Sequence, residues 1–173
     1  MIAIPSVSTA RLRLRPFVQG DLDAYAALCA DAEVMRYIGV GGPVGRDMAW
    51  RQMALFLGQW ALLGHGTWAV ERRSEKPAER RLIGRVGFLQ PEGWPGCELA
   101  WLLARDCWGQ GLAFEAASAA RAFGRDALGI GPLVSLILPG NERSKALARR
   151  LGAGPDGEVE LFGARAELWR HPD

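Results

Sequence analysis

Polar and apolar residues alternate with period two through Arg11-Leu12-Arg13-Leu14-Arg15, so one face of this stretch is buried and the spacing predicts a first strand, ended by Pro16. Asp21 then offers an N-cap to a run in which Leu22, Tyr25, Cys29 and Ala32 recur at helical spacing, which predicts one helix. The glycine-rich segment from Gly39 to Pro43 breaks it. Beyond the break, Met53, Phe56, Leu57 and Trp60 stand at i, i+3, i+4 and i+7 and predict a second amphipathic helix that stops near Gly64. Two helices therefore precede the central sheet.

Thr67 to Val70 and Leu82 to Leu89 read as antiparallel strands flanking a polar hairpin loop from Ser74 to Arg81. After the turn-forming run Pro91 to Gly96, a further strand covers Cys97 to Leu103, with Cys97, Leu99, Trp101 and Leu103 on one face and Glu98 on the other. A helix follows Gly111, its Leu112, Ala116, Ala119, Phe123 and Ala127 forming one stripe before Gly129. The nearly all-apolar Leu133 to Leu138 reads as a strand covered on both faces and parallel to the one before the helix. Asn141 caps a last helix with Leu147 and Leu151 inward and Gly152 as its stop, and Glu158 to Leu161 with Ala164 to Trp169 forms a closing hairpin. The pattern is a mixed sheet, antiparallel at its start and parallel near its centre, with helices on both faces and no internal repeat or long linker.

At 173 residues and 49% apolar content, the chain suits a single domain, 1–173. Its 21 basic and 19 acidic residues do not run in blocks, and a net charge of +2 implies neither a nucleic-acid nor a membrane partner. The first five residues carry no basic leader, and no stretch approaches the roughly 18 apolar residues that span a bilayer, so the expectation is a cytoplasmic protein. Cys29, Cys97 and Cys107 form no metal-spaced pattern and read as small hydrophobes; no metal site is expected. His65 reads as a turn residue and His171 as a terminal surface residue, which leaves little imidazole for covalent catalysis.

The chemistry concentrates in Trp108-Gly109-Gln110-Gly111-Leu112-Ala113, a glycine loop between a strand and a helix. Glycines allow a tight turn and close backbone approach, and the first helical turn offers free N–H groups and a positive dipole end, so a pyrophosphate fits there. A plain strand-to-helix turn would have the same appearance. A dinucleotide-binding Rossmann site would want a third glycine where Phe114 stands and an acidic residue where the next strand ends in Leu138-Pro139, so that reading is set aside.

Taken together, Glu98 to Leu103 followed by Trp108 to Ala116 resembles the acetyl-CoA-binding segment of the GNAT superfamily, and within it the ribosomal-protein N-terminal acetyltransferase type. The resemblance extends through Arg11 to Pro16, Val34 to Tyr37, Trp68 to Val70, Asn141 to Ser144 and Arg150 to Ala153, covering nearly the whole chain. The superfamily's R/Q-x-x-G-x-G/A signature maps onto Trp108, Gly111 and Ala113. The resemblance implies a GNAT fold of the α/β (mixed α+β) class: a mostly antiparallel mixed sheet with a splayed parallel strand pair. It also implies acetyl-CoA as co-substrate, the pantetheine arm lying like a strand beside Trp101, Leu102 and Leu103, and the pyrophosphate on Trp108, Gly109, Gln110, Gly111, Leu112 and Ala113. Asn141 would add a hydrogen bond to the arm besides capping its helix. Glu98 becomes the candidate general base, with a structurally paired or solvent-facing glutamate as the alternative. Ser144 becomes the candidate donor to the leaving thiolate. Many relatives use a tyrosine farther along that helix, where this chain reads Leu147-Ala148-Arg149. The implied activity is acetyl transfer to a primary amine, a protein N-terminus or a small molecule, by a monomer or homodimer; the alternative is an inactive acyl-CoA-binding regulatory module. The acceptor groove is expected among Gly39 to Pro43, the Trp94 turn and the final hairpin, loops that vary on such a scaffold.

Overall fold

A computed structural model of the chain describes residues 3–76 and 80–172. Its strands are β1 (Val7–Ser8), β2 (Leu12–Arg15), β3 (Thr67–Arg72), β4 (Arg81–Leu89), β5 (Cys97–Leu103), β6 (Leu133–Ile137), β7 (Gly154–Leu161) and β8 (Ala164–Arg170). Its helices are α1 (Leu22–Ala30), α2 (Ala32–Met35), α3 (Arg46–Leu63), α4 (Leu112–Leu128) and α5 (Glu142–Arg150). The strands form one sheet in the order β1-β2-β3-β4-β5-β6-β8-β7, antiparallel throughout except where β6 runs parallel to β5. This is the mixed, mostly antiparallel α/β architecture that the resemblance implies. Of the expected hairpin loop from Ser74 to Arg81, residues 77–79 lie outside the described residues, but the strands it joins do pair antiparallel. Among the described residues, no helix is long and apolar enough to cross a membrane.

Several sequence expectations shift. The Arg11 to Arg15 strand is the second, because a two-residue strand at Val7–Ser8 pairs with it. The single helix expected from Leu22 to Ala32 breaks at Asp31, whose extended backbone ends α1 and whose carboxylate accepts from the N–H groups of Glu33 and Val34 to start α2. Three helices, not two, therefore precede β3. In α3 the inward face is Ala49, Met53, Phe56 and Trp60, while Leu57 points outward. The buried stripe of α4 is also rotated from the expected one and consists of Leu112, Ala116, Ala117, Ala120 and Gly124. Gly124 permits this seating, since a Cβ there would stand 2.4 Å from Cζ of Phe88 on β4.

The sheet separates two apolar layers. On one face α4 packs over Leu12, Val70, Val86, Leu99 and Leu103, with Trp68 wholly buried among them. On the other, α1 and α3 pack Tyr25, Cys29, Met53 and Phe56 against Ala69 and Leu102. Arg15 ties this layer to the sheet: its guanidinium donates to both oxygens of Asp21 at 2.8 Å and to Glu71 at 2.8 Å, so β2, β3 and the entry to α1 share one ion-pair network. Removing a typical large side chain from either layer costs about 2–5 kcal/mol.

The parallel ladder is the exception to this continuity. Only Cys97 with Leu133 and Glu98 with Val134 are in register, after which β5 and β6 diverge. At the point of divergence the Ser135 hydroxyl donates to the Leu99 carbonyl at 2.7 Å and lies 2.9 Å from Nε2 of His171. His171 is thus not the surface residue its position suggests. It is 3% exposed, because the antiparallel β6–β8 ladder continues one residue past Arg170, with the His171 N–H bonded to the Leu133 carbonyl. Burial, with the Arg121 charge nearby, pushes its imidazole down to about 4.

Candidate active site

Two cavities open from the splay. The larger, about 610 Å³, lies between the ends of β5 and the first turns of α4 and α5. The smaller, about 360 Å³, lies on the other side, against β4, α3 and the final hairpin. Trp101, Asn141, Ser144, Tyr37 and Ile38 line both, so the cavities meet there.

The larger cavity is built mainly from backbone. Gly109 and Gly111 both adopt left-handed conformations, φ +72° and +74°, which side chains with a Cβ rarely take. The turn they allow delivers the chain into α4, whose first bond runs from the Glu115 N–H to the Gly111 carbonyl; Gly111 supplies no side-chain cap. The amides ahead of that bond, at the positive end of a 17-residue helix, are free for an anion. Distant residues hold the loop in place. Arg11 bonds the Gln110 carbonyl at 3.0 Å and pairs with Glu115 at 2.7 Å, while Gln110 Nε2 donates to the Asp106 carbonyl. Arg143 stacks over the Trp108 ring at 4.0 Å and Arg150 over Phe114 at 4.0 Å, and with Arg36 they give the rim a basic character suited to phosphates.

Along β5, backbone groups of alternate residues point to alternate sides. The carbonyl of Leu99 is met by Ser135 and that of Leu103 by the Trp108 indole at 2.9 Å. Trp101 shares their side, so its N–H and C=O face the gap that β6 has left. Leu102 faces the α1–α3 layer, with its side chain in that core. The Trp101 indole reaches across and donates to Ser144 Oγ at 3.2 Å, which leaves the Ser144 proton free to point elsewhere. Asn141 caps α5 through its Oδ1, which accepts from the Ser144 N–H at 3.2 Å.

Glu98 does not face solvent; it is 8% exposed in the smaller cavity. Its Oε2 accepts from the Trp94 indole at 2.7 Å, and among the described residues it makes no ion pair. Burial raises its carboxyl above the ordinary range, against the opposing effects of the Trp94 hydrogen bond, the Arg85 charge and the Leu136 backbone N–H. Trp94 meets Phe162 edge-on at 5.7 Å, so the turn before β5 and the tip of the β7–β8 hairpin together roof this cavity. Gly39, Pro91, Trp94, Leu161 and Phe162 bring the three expected loops to its walls.

Sequence reasoning brought together Glu98, Trp101, Asn141, Ser144 and the glycine loop, but missed Arg85, Tyr37, Arg143 and Ser135. A lone charge inside the apolar run Leu82 to Leu89 was the available signal for Arg85. Tyr37 stood in the resembling segment Val34 to Tyr37, but nothing local assigned it to the site, which it reaches beyond the break at Asp31. Among the described residues, no group of three or more His, Cys, Asp or Glu side chains could hold a metal ion.

Residues 11–154 match the acetyltransferase (GNAT) domain family. The chain is 27% identical over 159 residues to YoaA of Bacillus subtilis (strain 168), named as an uncharacterized N-acetyltransferase, covering 91% of this chain and 88% of that one. Its fold superposes on the crystal structure of the acetyltransferase from Agrobacterium tumefaciens str. C58 with a TM-score of 0.85 and 30% identity, covering 100% of this chain and 97% of the other. The fold is shared, at 12% identity, TM-score 0.77 and coverage of 98% and 94%, with RimL, a ribosomal L7/L12 alpha-N-protein acetyltransferase. With a glycine loop opening α4 beside a splayed parallel pair, and a family match spanning most of its length, the chain belongs to the GNAT acetyltransferases, which use acetyl-CoA.

Proposed function

We propose that residues 1–173 act as one domain that transfers the acetyl group of acetyl-CoA to a primary amine by direct attack on the thioester. The observation that carries this reading is the meeting of the two cavities at Trp101 and Ser144, with amide donors for phosphates on one side and a buried carboxylate on the other. The pyrophosphate rests on the amides of Gly109 to Ala113, and the pantetheine arm takes the strand position beside Trp101 that β6 vacates. The thioester then lies at the junction, with the amine coming from the Glu98 side.

Each group has a distinct task. Glu98 accepts the proton of the attacking amine, directly or through a water, as the nitrogen bonds to the acetyl carbon and the carbon–sulfur bond breaks. A raised pKa suits this role, since it places proton affinity closer to neutrality. Ser144, its oxygen engaged by the Trp101 indole, donates its hydroxyl hydrogen bond to the departing thiolate. A module that only bound acyl-CoA would need neither the second cavity nor a buried carboxylate in it that makes no ion pair among the described residues. The deciding experiment measures acetyl-CoA conversion to CoA across small amines and peptide N-termini. Acetyl-CoA that raises the melting temperature yet is turned over with none of them would leave a binding module.

A further inference from the structure

Arg85 is the one charged residue of the apolar stretch from Leu82 to Leu89 on β4, and it is 7% exposed. Among the described residues its Nε and Nη1 are buried without a hydrogen-bond partner, and its guanidinium stands 5.3 Å from the centre of the Phe56 ring. The chain treats its other embedded arginine differently: Arg15 has two carboxylates and a carbonyl arranged around it. A buried cation left with open donors is costly, by far more than an arginine kept for packing would justify.

The open donors belong to a residue of the smaller cavity. Arg85 pairs with Leu102 across the β4–β5 ladder and Leu89 pairs with Glu98, so Arg85 and Glu98 occupy the same face, four residues apart along the strands. Between them lies Ala100, whose small side chain lines the cavity and leaves it space. Arg85 stands opposite Leu102, one residue from Trp101, so its planar fork of donors belongs to the part of the site that addresses the amine, with Glu98 three residues beyond Trp101 along β5. Phe56, Leu55, Leu136, Trp94 and Phe162 make the walls apolar.

We infer that Arg85 anchors a carboxylate of the acceptor, so that the substrate of the smaller cavity is a small amino acid with an apolar body rather than a protein N-terminus. A guanidinium binds carboxylates and phosphates alike in bidentate geometry, but one cation in a cavity that also holds the acidic Glu98 disfavours a dianion more than a monoanion. A protein N-terminus would bring a neutral amide, whose single carbonyl oxygen accepts from part of the fork and leaves the charge without a counter-ion. The inference rests on the acetyl-transfer reading and adds the class of acceptor to it.

The test compares apolar and aromatic amino acids with their carboxamides, with the matching amines that lack the carboxyl group, and with peptides of the same first residue. Wild-type protein should favour the free acids by roughly 10²-fold or more in kcat/KM, because a polar fork built for an absent group rejects the analogue that lacks it. Arg85→Gln should bring acid and carboxamide to within about threefold of each other, and Arg85→Lys should restore part of the preference, while the thermal shift produced by acetyl-CoA stays as in wild type. Equal rates for acid and carboxamide in the wild type, zero included, or a preference that survives Arg85→Gln, overturns the assignment. The wild-type ratio decides the matter even if the Gln variant fails to fold. An acetyl-CoA thermal shift accompanied by transfer to carboxyl-free amines as fast as to the acids removes only the role of Arg85; no acetyl-CoA shift at all removes the acetyl-transfer reading with it.

Discussion

The larger cavity is walled by main chain and by arginines stacked on aromatic rings at its rim, whereas the smaller one is walled by apolar side chains with two charged residues, Glu98 and Arg85, buried among them. Main-chain donors recognise what every acyl-CoA has in common, its phosphates and its amide-bearing arm, and need only glycine to come within reach. Buried side chains recognise what distinguishes one acceptor from another, and they carry a desolvation cost until that acceptor arrives. One half of the site is therefore tolerant of side-chain change outside Gly109 and Gly111. The other half depends on a few side chains in which single-atom replacements should be felt.

The contrast is sharpest at Glu98. Glu98→Gln keeps the shape and the Trp94 contact but removes the proposed base, so with a matching amine kcat should fall by about 10²–10⁴-fold while acetyl-CoA affinity is unchanged. In the wild type, kcat/KM should rise with pH through a midpoint above the usual carboxylate range, because the burial-raised group must lose its proton before it can accept one. The variant should lose that limb. A wild-type rate in Glu98→Gln at every pH would take the carboxylate out of the chemistry and erase the distinction between the cavities.

A second measurement addresses the apex that parts them. His171 is neutral in the fold and has a pKa of about 4, below that of the unfolded chain, so it binds its proton more readily when unfolded. Stability should then be complete above pH 6.5 and decline by roughly 2–3 kcal/mol as pH falls toward 4. Chemical denaturation across that range should show a flatter profile for His171→Gln. A wild-type slope retained in the variant would assign the acid sensitivity elsewhere.

Smaller effects are expected at the larger cavity. Gly111→Val forces a β-branched residue into a left-handed conformation at about 1–2 kcal/mol, and the backbone amides it displaces should weaken acetyl-CoA binding by roughly 10–100-fold. The Cβ itself meets only Arg11 Nη2 at 3.6 Å, so strain and displacement, rather than occupation of the phosphate position, should cause the loss. Calorimetry on a variant whose circular dichroism is native would detect it, and unchanged affinity would move the phosphate site elsewhere. Ser144→Ala should cost least, about tenfold in kcat, and an acetyl thioester with a better leaving thiol should rescue it but not Glu98→Gln. A failed rescue would pass the donor role to another hydroxyl at the junction, of which the Tyr37 phenol is one.

The two halves were not equally legible in the sequence. The glycine loop, the cap at Asn141 and the strand bearing Glu98 are local patterns, and each took its expected place because its neighbours in sequence are its neighbours in space. Misplaced features depended on contacts between distant segments. Leu57 and Ala119 fit a helical period, but the facing layers turned each helix by part of a turn. His171 precedes a proline at the end of a strand, and nothing local says that the ladder with β6 extends to it. Arg85 reads as an ordinary strand residue until Phe56 and Glu98, 29 and 13 positions away, are brought beside it.

The two-pair ladder between β5 and β6 has a kinetic consequence for the backbone itself. The Trp101 amide belongs to a strand that is laddered to β4 along one edge, and its own proton faces the gap on the other. In protein without ligand that proton should exchange with solvent deuterium by direct exposure, without waiting for the sheet to open, while the Ala100 and Leu102 amides on the β4 side exchange far more slowly. Acetyl-CoA, by taking up the missing strand position, should bring Trp101 to the pace of its neighbours. A single amide would then report, in real time, whether the site is loaded.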